Sequence, residues 1–290
     1  MDSGARRTGL GVFDRPDCVQ FIGENRLIRK VLMVLCATVL LAAPCPARPQ
    51  TGDADGARNT QQARAALNAM VQALGGQAWL DMKNQLLHGF VAAFYHGNPS
   101  SGTTEYWDYH AWPDKDRIEF TRHRDVLQFY LGRVGSEVTY RGKNPLPQDQ
   151  VDDFLRRRDH SIETAIKVWL KDPQTIFIDE GMHMVERREG EQVTLISPQN
   201  EAITIVMDTQ SHLPLSSSFQ WRDTVYHDRN TETEEYDNYH MVDGFPTAYS
   251  ITRYKNGEMT RQYYVRSAAY NQSLPPDFWD PDPAARRIKK

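Results

Sequence analysis

Thr247-Ala-Tyr-Ser-Ile-Thr-Arg-Tyr-Lys-Asn-Gly-Glu-Met-Thr-Arg-Gln-Tyr-Tyr-Val-Arg-Ser-Ala268 decides the fold class. Two runs rich in β-branched and aromatic residues flank Asn256-Gly257, a dipeptide that accepts the left-handed backbone of a tight hairpin turn. The runs Thr247 to Tyr254 and Met259 to Ala268 therefore read as adjacent antiparallel strands.

The same texture extends toward the N-terminus. Strand-like runs recur at Thr175 to Ile178, Met182 to Arg187, Gln192 to Ile196, Ala202 to Met207, Leu213 to Trp221 and Thr231 to Tyr239, separated by turn signals such as Gly190, Ser197-Pro-Gln-Asn200 and Gly244. Further upstream, Leu86 to Tyr95, Thr103 to Trp112, Arg117 to Arg122 and Val126 to Gly132 form another series of hairpins. Within it, Ile118, Phe120, Leu127, Phe129 and Leu131 fall at alternate positions and are expected on one buried face.

Two segments change period. Ala63, Ala66, Leu67, Met70, Val71 and Leu74 recur at helical spacing, with Asn59 or Thr60 as cap and Gly75-Gly76 as the left-handed stop. Ile162, Ala165, Ile166, Trp169 and Leu170 repeat the pattern between Ser161, a capping residue, and Pro173. The mixed-sign stretch Asp152 to Asp159 beside them reads as a solvated face.

About a dozen strands with two main helices, the first ahead of every strand, argue against alternating βαβ units. The expected class is α+β: one large curved antiparallel sheet, an incomplete β-barrel, with helices covering its concave side.

The N-terminal region reads differently. Arg26, Arg29 and Lys30 precede the uncharged run Val31 to Ala43, too short to span a bilayer comfortably. Basic flank, short apolar core and small residues make a secretory signal, with cleavage near Ala47. Leu41-Ala-Ala-Pro-Cys45 offers an alternative, a lipidation motif through Cys45, in which Pro44 departs from the small residue expected. A retained membrane anchor is a third reading. The expected organisation is residues 1–47 as extension and signal, 48–60 as flexible leader, 61–281 as one domain and 282–290 as a disordered tail.

Removing the six Lys/Arg and four Asp/Glu of residues 1–47 takes the formal charge from −4 to −6. A weakly acidic domain is a poor partner for nucleic acid. All three cysteines, Cys18, Cys36 and Cys45, precede residue 48, so the remainder holds neither disulfide nor thiolate metal site. A Gly-x-Ser-x-Gly elbow, a phosphate-cradling Gly-rich loop and a His-Glu-x-x-His helix are absent from the sequence, and no enzyme, metal or cofactor is expected. The acidic run between His227 and His240 alternates along a strand and reads as a wet outer face. His110 and His183 read as structural imidazoles.

The ordered features resemble the LolA-like periplasmic lipoprotein-carrier superfamily over roughly residues 62–281. The carrying pieces are the helix ending Ala73-Leu-Gly-Gly76, the strand with Gly89, the segment Trp112-Pro-Asp-Lys-Asp-Arg-Ile-Glu119 and Met207-Asp208 followed by Leu213-Pro214. Tyr236-Asp-Asn-Tyr239, Gly244-Phe-Pro246 and Tyr264-Val265 leading to Leu274-Pro-Pro-Asp-Phe278 complete the series. The chain departs from the carriers in its helical insertion between Pro145 and Pro173. The resemblance implies an open barrel that holds an acyl chain between sheet and helices, in the periplasm, with a lipid or lipoprotein as partner. Parity and the expected facing helix nominate Phe90, Ile118, Phe120, Leu127, Phe129 and Trp169 as lining residues. The rival expectation is an envelope sensor or protein-interaction module without a ligand cavity.

Overall fold

The structure is a computed structural model that describes residues 51–100 and 102–288. It opens with α1 (Thr51–Leu74) and the short α2 (Gln77–Leu80). The first strands are β1 (Gln85–Tyr95), β2 (Asn98–Pro99), β3 (Thr104–Ala111), β4 (Lys115–Phe120), β5 (Val126–Leu131), β6 (Val134–Thr139) and β7 (Gly142–Pro145). Helices α3 (Gln148–Asp159) and α4 (Ile162–Lys167) and a 3-10 turn at Trp169–Lys171 follow. Then come β8 (Ile176–Val185), β9 (Arg188–Ile196), β10 (Ala202–Asp208), β11 (Pro214–Arg222), β12 (Arg229–Val242), β13 (Phe245–Lys255), β14 (Glu258–Tyr270) and a final helix α5 (Pro281–Ile288).

The fourteen strands of the described residues belong to one antiparallel sheet, ordered β7-β6-β5-β4-β3-β1-β14-β13-β12-β11-β10-β9-β8, with β2 hairpinned onto β1. Two meanders meet where β14, at the end of the second, pairs with β1, at the start of the first. The sheet is not closed, because β7 and β8 lie at its opposite edges. These edge strands are consecutive in the chain, so residues 146–175 must carry it across the whole sheet. That requirement explains the helical insertion: α3 and α4 are the crossover. Register shifts at His88/Gly89, Asp179/Gly181, Val206/Met207 and Arg253/Tyr254 supply bulges that bend and twist a sheet of this width.

Directly opposed residues share a face, so the register sorts side chains into an inner, helix-bearing face and an outer one. The main core lies inside. Leu67, Met70 and Ala63 of α1, with Ile166 and Trp169 of the crossover, pack on Phe177, Val193, Leu195, Ile203 and Ile205 of β8 to β10. Full burial of side chains such as Leu67 and Met70 stabilises by about 1.5–3 kcal/mol each. A second inner cluster joins Val151, Phe154 and Leu155 of α3 to Ile118 and Tyr130. Gly135 makes this contact possible, since a Cβ there would lie 2.5 Å from Val151 Cγ2. Ser161 caps α4 as expected, accepting from the Thr164 N–H at 3.1 Å.

Several elements depart from the sequence reading. Residues 51–60, expected within a flexible leader, are the first turns of α1; Asn59 is not its cap but sits inside it. The Asn59 side chain donates to the Asp179 carbonyl at 2.7 Å and accepts the Asp179 N–H at 2.9 Å, which ties the extended helix to β8. The expected tail at 282–290 is ordered to Ile288 as α5, with Pro281 in the first turn and the Asp280 carboxylate accepting the Asp282 N–H at 2.9 Å. Its Ala284 is sealed against Leu127, Phe129 and Val138 on the outer face. Asp152 to Asp159 belongs to a helix that buries Val151 and Leu155, and its arginines turn inward to carboxylates of the sheet. The expected signal region and Cys45 lie outside the described residues. Among the described residues, no helix is long and apolar enough to cross a membrane.

Candidate functional site

The nominated lining residues do not converge. Register pairs Glu119, not Ile118, with Leu127, and Arg117 with Phe129. Ile118 and Phe120 therefore face inward, whereas Leu127 and Phe129 face outward beneath α5. The expectation of one shared face fails because the turn at residues 121–125 sets a register one residue away from the parity assumed. Phe90 also faces outward, paired with Glu105 and Tyr264. Trp169 is buried in the α1 core.

The register instead assembles a different site on the inner face at mid-sheet. Helices α1 and α4 cover β8 to β10, and α3 covers β4 to β6. Between these flanks, on β12, β13, β14, β1 and β3, the inward residues include Tyr249, Ile251, Tyr263 and Leu87, all only half-buried. Tyr263 meets the buried Tyr106 edge-on, ring centroids 5.4 Å apart. At the open end, exposed His240 lies against the Tyr249 ring at 4.4 Å. The result is a trough whose floor alternates aliphatic and phenolic groups, and tyrosine suits it by pairing an apolar ring with a polar tip.

A polar group runs along the same floor. Glu234 and Arg253, opposed across β12 and β13, form an ion pair whose side chains keep 25% and 31% exposure despite their position inside the curved sheet. The Arg253 guanidinium also donates to the Tyr263 hydroxyl at 2.9 Å, and the Tyr236 hydroxyl donates to Glu234 at 2.9 Å. Burial would raise the Glu234 carboxyl, but Arg253 and these hydrogen bonds outweigh it and hold the group below its ordinary value. Asp108, inward on β3, has no such partner among the described residues: burial, reinforced by repulsion from Asp116, pushes it up to about 6.

One wall of this region is an ionic lattice. His110 bridges Asp116 at 2.6 Å and Glu163 at 3.0 Å, tying β3 and β4 to α4. Arg158 reaches Asp116 at 3.2 Å and Lys167 reaches Glu163 at 2.5 Å. Burial alone would lower the imidazole, yet hydrogen bonds to Asp116 and Glu163 push it up to about 10, so His110 is a charged structural residue. Across the concavity, Arg157 pairs with Glu232 of β12 at 3.2 Å and the Arg156 guanidinium stacks over Trp221 at 3.6 Å. Thus α3 bridges the two arms of the sheet at one end of the trough.

The acidic run between His227 and His240, expected on a wet outer face, splits by parity. Glu232 and Glu234 point inward to arginines, while Glu235 and Asp237 point outward. The sequence carries no local signal for this, because Arg157 and Arg253 are remote in the chain. Among the described residues, no group of three or more His, Cys, Asp or Glu is placed to hold a metal ion.

No protein-family model matches the sequence, and no curated protein matches it. Solved structures do match. A DUF1329 family protein from Desulfovibrio piger aligns with a TM-score of 0.52 at 11% identity, over 75% of this chain and 97% of its own. A putative outer membrane lipoprotein-sorting protein domain from Vibrio parahaemolyticus gives 0.49 at 11% identity, over 80% and 100%. A LolA superfamily protein from Nitrosomonas europaea gives 0.47 at 12% identity, over 75% and 96%. At such identities the likeness is one of fold alone, shared with the Desulfovibrio piger structure.

Proposed function

We propose that this is an exported envelope protein that binds an amphiphile, a lipid or the acylated end of a lipoprotein, non-covalently in the inner trough. The observation that carries the reading is the half-buried strip Leu87, Tyr249, Ile251 and Tyr263, left uncovered between two helix-covered flanks. An acyl chain laid on it removes apolar surface from water, worth about 0.8 kcal/mol per methylene. Arg253, Glu234 and Asp108 beside the strip offer a charged carboxylate–guanidinium pair and a titratable acid to a polar head group. The expected apolar cleft is thus apolar in part, and its ligand has a polar end. The reading assigns no reaction to the site, and its direction of use is carriage or sensing rather than catalysis.

The test is lipid extraction and mass spectrometry of protein purified from the envelope, together with titration by a fluorescent fatty acid. Stoichiometric lipid, and binding weakened about tenfold or more in Ile251→Arg at unchanged melting temperature, is the expected result, because the variant places a charge against the chain. Protein that arrives lipid-free and ignores the probe overturns the reading.

A second reading, a protein-interaction module, has its own observation. Edge strand β8 presents Ile176, Met182 and Met184 at 57%, 62% and 53% exposure at the margin of the sheet. In-cell crosslinking from Met184 that recovers one defined envelope protein, with no lipid in the trough, favours this module over the carrier.

A further inference from the structure

A second hollow lies on the opposite face of the sheet, away from the trough. It is an open groove of about 630 Å³ whose floor is Phe90 and whose rims carry Arg266 from β14 and Arg122 from the β4–β5 turn. Thr103, Thr104 and Thr121 also line it, and Glu105 stands at its side.

The backbone builds this groove at two irregular points. At the first, β1 and β14 shift register between His88 and Gly89, leaving Arg266 as the unpaired bulge residue. A bulge re-aims its side chain, and the Arg266 guanidinium lies 5.2 Å from the Phe90 ring centroid. Gly89 is required there, because a Cβ would sit 2.0 Å from the Tyr264 carbonyl oxygen. At the second point, Thr121 holds φ at 69°, left-handed backbone that a β-branched residue seldom adopts, and its N–H donates to the Glu105 carbonyl at 3.0 Å. This fixes the turn from which Arg122 projects.

The charge balance is positive. Glu105 is engaged by His88 at 2.9 Å, and Asp125 accepts the Thr121 hydroxyl at 2.5 Å. Arg124, in the same turn, is taken by Glu119 and the Tyr109 hydroxyl. Arg122 and Arg266 have no carboxylate partner among the described residues. Two exposed guanidiniums facing one groove repel each other unless an anion lies between them, and planar guanidinium forks match tetrahedral oxyanions in two-point contact. We infer that this outer groove is a binding site for a phosphate-type oxyanion, held between Arg122 and Arg266. The Phe90 ring leaves room for an apolar substituent on the anion, so free phosphate and a phospholipid head group share the required chemistry.

The test uses the full chain and two probes. Inorganic phosphate is titrated against amide resonances, and phosphatidylglycerol vesicles, with phosphatidylcholine vesicles as control, are used for co-sedimentation. Each is repeated with the double variant Arg122→Gln/Arg266→Gln, whose side chains are exposed and whose melting temperature is expected to match the parent. The site predicts a saturable phosphate response centred on Phe90, Thr121 and Arg266, weakened about tenfold or more in the double variant, as loss of charge-assisted hydrogen bonds requires. Co-sedimentation with phosphatidylglycerol that the double variant loses identifies a lipid head group as the source; co-sedimentation absent or unchanged in the variant, beside an intact phosphate response, identifies a free anion. A phosphate response that fails to saturate, or that survives both substitutions undiminished, overturns the proposal.

Discussion

His110 is a residue whose protonation is built into the fold. Its folded value near 10 lies above the ordinary 6.5, so the folded state holds a proton that the unfolded chain releases. The stability it contributes is fully present below about pH 6.5 and is lost as pH rises through about 10. Urea midpoints measured across this window should fall with rising pH in the parent and lose much of that slope in His110→Gln; parallel curves would contradict the assignment. Asp108 behaves in the same sense at lower pH. Its raised value of about 6 means the folded state keeps a proton between roughly pH 3.8 and 6, and ionisation above that range costs stability. Asp108→Asn should therefore be at least as stable as the parent at pH 7 and should flatten the decline between pH 4 and 6. A fully exposed, freely ionised Asp108 would instead make the substitution neutral at every pH.

At the scale of elements, the crossover and the terminal helix hold the open sheet in its curved form. Gly135→Val should push α3 from β6, because even a Cβ meets Val151 at 2.5 Å; overpacking of this kind costs about 1–3 kcal/mol, read as a shift in the denaturation midpoint. Ending the chain at Asp280 should uncover Leu127, Phe129 and Val138, lowering stability and raising binding of an apolar dye; unchanged dye binding would mean that α5 does not cover them in solution. These elements also mark how far the sequence could be read. Strands such as Ala202–Asp208 and the Asn256-Gly257 hairpin were legible because alternation and turn chemistry are local. Strands β6 and β7 were not, since Val134–Thr139 and Gly142–Pro145 carry few apolar residues and are specified by pairing with β5 and by α3. The inner charges were hidden for a related reason: Glu234 meets Arg253, and Glu232 meets Arg157, only through the register of the sheet and the path of the crossover. Leu127 and Phe129 were misplaced because a one-residue change in register exchanges the two faces.

The whole molecule follows from one topological fact: consecutive strands β7 and β8 occupy opposite edges, so the chain between them must span the concavity. That span, together with α1, supplies the helices that wall the trough, and their spacing leaves Leu87, Tyr249, Ile251 and Tyr263 half-buried at its floor. An acyl chain is proposed to lie there. A fatty acid carrying a nitroxide near its methyl end, added to isotopically labelled protein, tests it most directly through paramagnetic broadening of amide resonances. Selective broadening of Leu87, Ile251 and Tyr263, with Leu127 and Phe129 unaffected on the outer face, is the predicted result; broadening confined to the outer face, or none at saturating probe, would contradict the claim.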